Sequence, residues 1–140
     1  MQSTSKLKTS EKLLDLAARR GVPVYDFPLP ANVCCEVQLD GACAVGIDFA
    51  KATEAERTVM LAHGLGHCVR GEFYNLYSPY DVRKKHERRA DEWAIRKTVP
   101  YSKIKKAVRR GESEPWQIAE LFGVTVPFAE KALRYWFGEK

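Results

Sequence analysis

The sequence predicts an α+β fold, a small, mostly antiparallel sheet packed against a helical body. Three observations carry that expectation. Residues 33–39 alternate Val33, Cys35, Val37 and Leu39 with Cys34, Glu36 and Gln38. That is a half-buried period of two, and Asp40-Gly41 then offers a two-residue hairpin turn into residues 42–49. Thr53, followed three residues later by Glu56, is a capping box that opens an apolar helix. Beyond that helix, Pro100, Gly111, Pro115 and Gly123 divide the chain into helix-sized pieces.

In chain order, residues 1–8 read as a frayed polar tail. Ser10-Glu11 opens a helix to Arg20, with Leu13, Leu14, Leu16 and Ala17 on its apolar side and Gly21 as its C-terminal stop. Residues 22–27 form a short strand, and Pro23 within it indicates an edge position. Residues 42–49 directly precede the capping-box helix and are expected to form an edge strand along which an extended substrate pairs. The helix itself runs to Arg70 and stops at Gly71. It is apolar nearly all round, hence central. Gly64 and Gly66 each cost it about 1 kcal/mol relative to alanine, so tertiary packing or a metal must hold it. A tyrosine-rich loop follows, and Asp81 is expected to cap a helix over residues 82–99 that ends before Pro100. A short basic helix occupies residues 100–110, closed by Gly111. Ser113-Glu114-Pro115 opens a helix to Phe122, and after the turn at Gly123-Val124 another runs from Thr125 to Phe137. There is no internal repeat and no low-complexity segment. Residues 1–140 read as one domain, with residues 113–138 as a C-terminal helical pair.

A chain of 140 residues can bury a sizeable core. The formal charge of +5 permits an acidic partner or nucleic acid without demanding either. No apolar run approaches the roughly 20 residues of a membrane span, so no membrane role is expected. The polar amino end lacks a signal-peptide core, and Cys34, Cys35, Cys43 and Cys68 show no CxxC spacing. Reduced thiols in a cytoplasmic protein are therefore expected.

The chemistry concentrates in VMLAHGLGHCVR, residues 59–70. His63 and His67 are four residues apart, so on a helix both imidazoles share one face. Such a pair can supply two of the three protein ligands of a catalytic zinc site. A third ligand should come from downstream. Glu87 fits best, twenty residues after His67 on the next helix, while His86 is an alternative that points about 100° away. Asp91, one turn beyond Glu87, is placed to accept the outer N–H of a ligating imidazole and fix its tautomer. A tyrosine from Tyr74, Tyr77 or Tyr80, in the loop joining the two ligand helices, is a candidate oxyanion stabiliser, set against ordinary packing. Two histidines at this spacing can equally be hydrogen-bonded core residues. It is the downstream Glu-x-x-x-Asp that tips the reading towards metal.

The stretches LAHGLGHC and HERRADEWAIRKTVP resemble the two motifs of the ImmA/IrrE family of zinc metallopeptidases, over a span from Leu13 to the carboxy end. The resemblance implies a zincin-like core and Zn2+ held by His63, His67 and Glu87. It also implies protein substrates that are helix-turn-helix repressors of mobile elements or stress genes. The chain departs from the H-E-x-x-H pattern at one position, because Gly64 stands where the general-base Glu belongs. That Glu takes a proton from the attacking water and passes it to the leaving amine, and losing a general base typically costs about 10²–10⁴ in rate. Glu72 lies too far along the chain to replace it. Whether the chain is an enzyme therefore stays open between an inactivated peptidase and a non-catalytic zinc-binding relative that binds a repressor or DNA.

The C-terminal pair also has helix-turn-helix spacing in Ile118-Ala119, Gly123-Val124-Thr125 and Ala129, with basic Lys103, Lys105, Lys106, Arg109 and Arg110 upstream. The second helix begins Thr125-Val126-Pro127 and continues with Glu130, positions poor in base-reading side chains. A packed helical pair is favoured over a DNA reader, and a docking surface for a repressor is a third reading.

Overall fold

Proline and glycine set the boundaries of most elements in the computed structural model. It describes residues 8–26, 28, 34–39, 42–70 and 79–138, with the backbone alone described for residues 34–39, 42 and 70. The elements are α1 (Thr9–Arg19), β1 (Val24–Asp26), β2 (Cys34–Leu39), β3 (Ala42–Ile47), α2 (Glu54–Arg70), α3 (Tyr80–Thr98), α4 (Tyr101–Arg109), α5 (Pro115–Phe122) and α6 (Val126–Phe137). The described chain is thus a mostly helical α+β structure with a small sheet. Among the described residues, no helix is long and apolar enough to cross a membrane.

The sheet order is β1-β3-β2. β2 and β3 pair antiparallel, with Leu39 opposite Ala42 and Cys34 opposite Ile47. The intervening Asp40-Gly41 turn lies outside the described residues. β1 pairs parallel to β3, Val24 opposite Val45 and Asp26 opposite Ile47. The sheet is therefore mixed, which corrects the mostly antiparallel expectation. The same order overturns the substrate-pairing role of residues 42–49. β3 is the central strand and its backbone is hydrogen-bonded on both sides. Val45 and Ile47 in it are fully buried, as suits a strand enclosed by neighbours. β1 is an edge, as Pro23 indicated, and the Pro23 carbonyl accepts from Val45 N at 2.9 Å.

Two local expectations also change. Asp81 lies in the first turn of α3 rather than at its cap, since the helix begins at Tyr80 with Pro79 as N-cap. Cys43 on β3 and Cys68 on α2 form a disulfide, with Cα atoms 5.5 Å apart. The reading of four reduced thiols is corrected accordingly, and the bridge ties the central strand to the helix that carries both histidines.

The buried side chains form one cluster drawn from α1 (Leu13, Ala17), β3, α2 (Leu61, Leu65), α3 (Trp93, Ile95), α4 (Ile104) and the α5–α6 pair (Ile118, Phe128, Ala129). Three polar contacts fasten α6 to α3 and its end. Lys131 pairs with Asp91 at 3.0 Å, Arg96 donates to the Tyr135 hydroxyl at 2.6 Å, and the Trp136 indole N–H donates to the Val99 carbonyl at 2.8 Å.

Candidate metal centre

The centre begins with the cap of α2. Thr53 N donates to Glu56 Oε1 at 2.8 Å and Glu56 N donates to Thr53 Oγ1 at 3.1 Å, the reciprocal box expected from the sequence. About three turns later the helix meets α3. A Cβ on Gly66 would lie 2.8 Å from the Ala90 carbonyl oxygen and 3.1 Å from its Cα. Real side chains do not approach backbone that closely, so Gly66 is what lets α3 rest on α2. His63 and His67 lie three before and one after Gly66; Glu87 and Asp91 lie three before and one after Ala90. The members of each pair are four residues apart and so share a helix face. The Gly66–Ala90 contact therefore sets the two polar pairs opposite each other.

The distances follow from that placement. His63 Nε2 is 3.2 Å from His67 Nε2 and 2.9 Å from Glu87 Oε1, and His67 Nε2 is 2.9 Å from Glu87 Oε2. His63 Nδ1 donates to Asp91 Oδ1 at 2.8 Å. Lys131, from α6, holds the other Asp91 oxygen. His67 is almost fully buried, while the Glu87 side chain is 41 % exposed and forms the open side.

A protein alone satisfies this arrangement poorly. With its Nδ1 proton committed to Asp91, a neutral His63 presents a bare lone pair at Nε2. That lone pair faces a carboxylate and a second imidazole nitrogen. Only a proton or a metal cation at that point makes all contacts favourable. The titration of His63 expresses the same demand. Burial pushes the imidazole down, but the hydrogen bonds and charges of Asp91 and Glu87 outweigh burial and leave it pushed up to about 10. For Asp91, burial pushes the carboxyl up, yet hydrogen bonds and charge from His63 and Lys131 hold it below its ordinary range.

The donor set fits a divalent metal. His63, His67 and Glu87 each offer one ligand atom, all within 4.8 Å of one another. A tetrahedral ion bonded at about 2.0–2.1 Å spaces its donors by about 3.3 Å, close to the separations found. Two imidazoles and one carboxylate suit zinc. Asp91, at His63 Nδ1, stands where a carboxylate behind a ligating imidazole would orient its ring.

His86, the alternative ligand, is not part of this group. Tyr74, Tyr77 and Glu72 lie outside the described residues. Tyr80 opens α3, is 68 % exposed, and its ring faces Arg83 and Lys84; it is two helical turns before Glu87. Gly64 is buried on α2 next to His63. Two contributors were not read from the sequence. Gly66 had a signal, since it and Ala90 precede a site residue by one and follow another by three. Lys131 had none, because forty residues separate it from Asp91.

Comparison with models of protein families, with curated proteins and with solved structures finds no match to this chain.

Proposed function

We propose that this protein binds zinc at His63, His67 and Glu87 in the frame of a zincin-like endopeptidase of the ImmA/IrrE type. We further propose that its partner is a helix-turn-helix repressor, and that as written it binds that partner far better than it cuts it. The observation that carries the reading is the convergence of three donor atoms at the α2–α3 contact, with Asp91 behind His63. Zinc, when bound there, would polarise a peptide carbonyl. Asp91 keeps the His63 proton on Nδ1 and so keeps Nε2 available. Lys131 keeps Asp91 ionised and in place. Glu87 faces the open side, where a polypeptide can approach. No side chain at position 64 can accept or return a proton, and that gap separates binding from hydrolysis.

The DNA reading is less well supported. α6 directs Lys131 to Asp91 and Tyr135 to Arg96 on α3. Its exposed first-turn positions, Val126 and Pro127, carry no group that reads a base edge.

Zinc titration of chelator-stripped protein against a chromophoric chelator should give one tight site, abolished in His67→Ala and strongly weakened in Glu87→Gln. Gly64→Glu should retain that site and cleave a repressor at least about 10²-fold faster than the parent chain. A parent chain that takes up no zinc would sink the metal reading. A parent that already cuts as fast as Gly64→Glu would show that position 64 is not where the base is missing.

A further inference from the structure

Most of α2 is held by contacts that involve no covalent bond. Its first turn is closed by the Thr53–Glu56 box, and the Ser10 hydroxyl of α1 donates to Glu54. Leu61 and Leu65 are fully buried, and Gly66 seats the helix on Ala90. The last turn, residues 67–70, is held differently. It carries one metal-centre residue, His67, and one end of the Cys43–Cys68 bridge. Successive residues turn about 100° round a helix. Gly66 therefore meets α3, His67 enters the metal centre, and Cys68 is tied to β3. His67 stands between a steric contact and a covalent one. A helix end has carbonyl groups without intrahelical partners and opens before the helix body does. Gly64 and Gly66 just ahead of it favour opening further. Cys43 and Cys68 are both partly exposed, so the bridge is not sealed in the core.

From this placement we propose that Cys43–Cys68 is a site of thiol–disulfide exchange with a dithiol reductant, and that opening it releases the last turn of α2 and with it His67. The proposal deepens the reading of the metal centre by naming how that centre is regulated. It rests on that reading for zinc as the output, but not for the exchange or the loosening of the turn. One thiolate of the reductant attacks one bridge sulfur to form a mixed disulfide. The other bridge sulfur leaves as a thiolate and takes a proton. The second thiol of the reductant then displaces the remaining protein sulfur, which is protonated in turn. The reductant ends as a disulfide, having given up two electrons and two protons, and Cys43 and Cys68 end as thiols. While closed, the bridge restricts the open states available to the turn. Once it is broken, the turn offers His67 to a metal only for the fraction of time it is helical, and apparent affinity falls by that fraction. The anchors earlier in α2 do not involve the bridge, so the release is local.

The test compares the full chain before and after dithiothreitol treatment without denaturant, the reductant then being removed by anaerobic gel filtration. The thiol count of the subsequently denatured chain should rise by two. Far-UV circular dichroism of the folded chain should keep its helical signal. In metal-free protein, amide hydrogen exchange should quicken at least about tenfold at residues 67–70 and less than about twofold at residues 57–61. Zinc affinity, read by competition with a chromophoric chelator, should fall at least about threefold. Cys43→Ser/Cys68→Ser should match the reduced chain in exchange and affinity and should not respond to dithiothreitol. Cys34→Ser/Cys35→Ser should respond as the parent does, which separates the bridge from the β2 cysteines. Should no form take up zinc while thiol count and exchange change as stated, the metal reading falls and the exchange site stands. A bridge that yields only in denaturant, collapse of the helical signal on reduction, unchanged exchange at residues 67–70, or equal zinc affinity of the two forms in a chain that binds zinc would overturn the assignment.

Discussion

Two helix pairs of this protein are built alike and buried differently. In the α2–α3 pair, the contact at Gly66 and Ala90 is flanked by four polar groups turned inward. In the α5–α6 pair, Ile118, Ala119, Val124, Phe128 and Ala129 are buried and apolar throughout. The buried apolar side chains of the second pair belong to the core shared with the other helices and call for no ligand. That pair is opened by the Glu114–Gln117 capping box, turned by Gly123 at φ +68°, and restarted by Thr125, whose hydroxyl accepts from Phe128 N. The first pair places two imidazoles and the Asp91 carboxylate where burial costs free energy unless charge is matched, with Glu87 at the open side. Polar groups held at such a cost point to a ligand, here a cation, whereas the apolar pair points only to a stable fold.

Variants can pull the two pairs apart. The largest effect on folding should come from the apolar pair. Phe128→Ala deletes a ring that is 3 % exposed, and should lose about 3–5 kcal/mol in denaturant unfolding. Zinc stoichiometry should stay at one wherever the variant is folded. Loss of zinc by the folded variant would show that the pairs are not separable.

Next comes the contact that aligns the polar pair. Gly66→Ala forces a methyl group against the Ala90 backbone, and neither helix backbone can yield cheaply. Overpacking of this kind should cost about 1–3 kcal/mol and weaken zinc binding at the same time, because the donors are spread apart. Unchanged stability and affinity would mean that this close approach does not set the donor spacing.

Asp91→Asn leaves all three ligands in place but removes the carboxylate that fixes His63. Zinc affinity should fall by about 10–100-fold, read by competition with a chelator. Lys131→Met should have a smaller effect, since its side chain is half exposed and such pairs are weak.

The sequence carried these two pairs unequally. Local signals were sufficient for the Thr53–Glu56 cap, most Pro and Gly boundaries, the shared face of His63 and His67, and the placement of Glu87 and Asp91 on the following helix. Each of these depends on residues a few positions apart. What was not legible depends on distant ones. The parallel pairing of β1 with β3 puts the hairpin's second strand at the centre of the sheet, and nothing in residues 42–49 alone distinguishes a centre from an edge. The Cys43–Cys68 bridge joins a strand to a helix across 25 residues, and only the packing of α2 on the sheet brings them together. Lys131 reaches Asp91 only because α6 is fastened to α3.

The most gradual effect is that of pH on metal-free protein. The His63 imidazole, ordinarily near 6.5, is raised to about 10 in the fold. Its contribution to stability is thus fully present below about pH 6.5 and is lost as pH rises towards 10. Melting temperature of chelator-treated protein should decline across that window. The zinc-loaded protein should not show the decline, because the metal replaces the proton at Nε2. Parallel pH profiles for the two forms would contradict the assignment of His63 as a ligand.

The most direct measurement of the central claim is zinc K-edge X-ray absorption on the loaded protein. Four cysteines, two of them bridged, offer an alternative donor type, so the first shell decides between them. We expect two imidazole nitrogens near 2.0–2.1 Å and oxygen near 2.0–2.2 Å, with no sulfur. A sulfur shell near 2.3 Å, or a first shell without imidazole scattering, would contradict the placement of the metal at the α2–α3 contact.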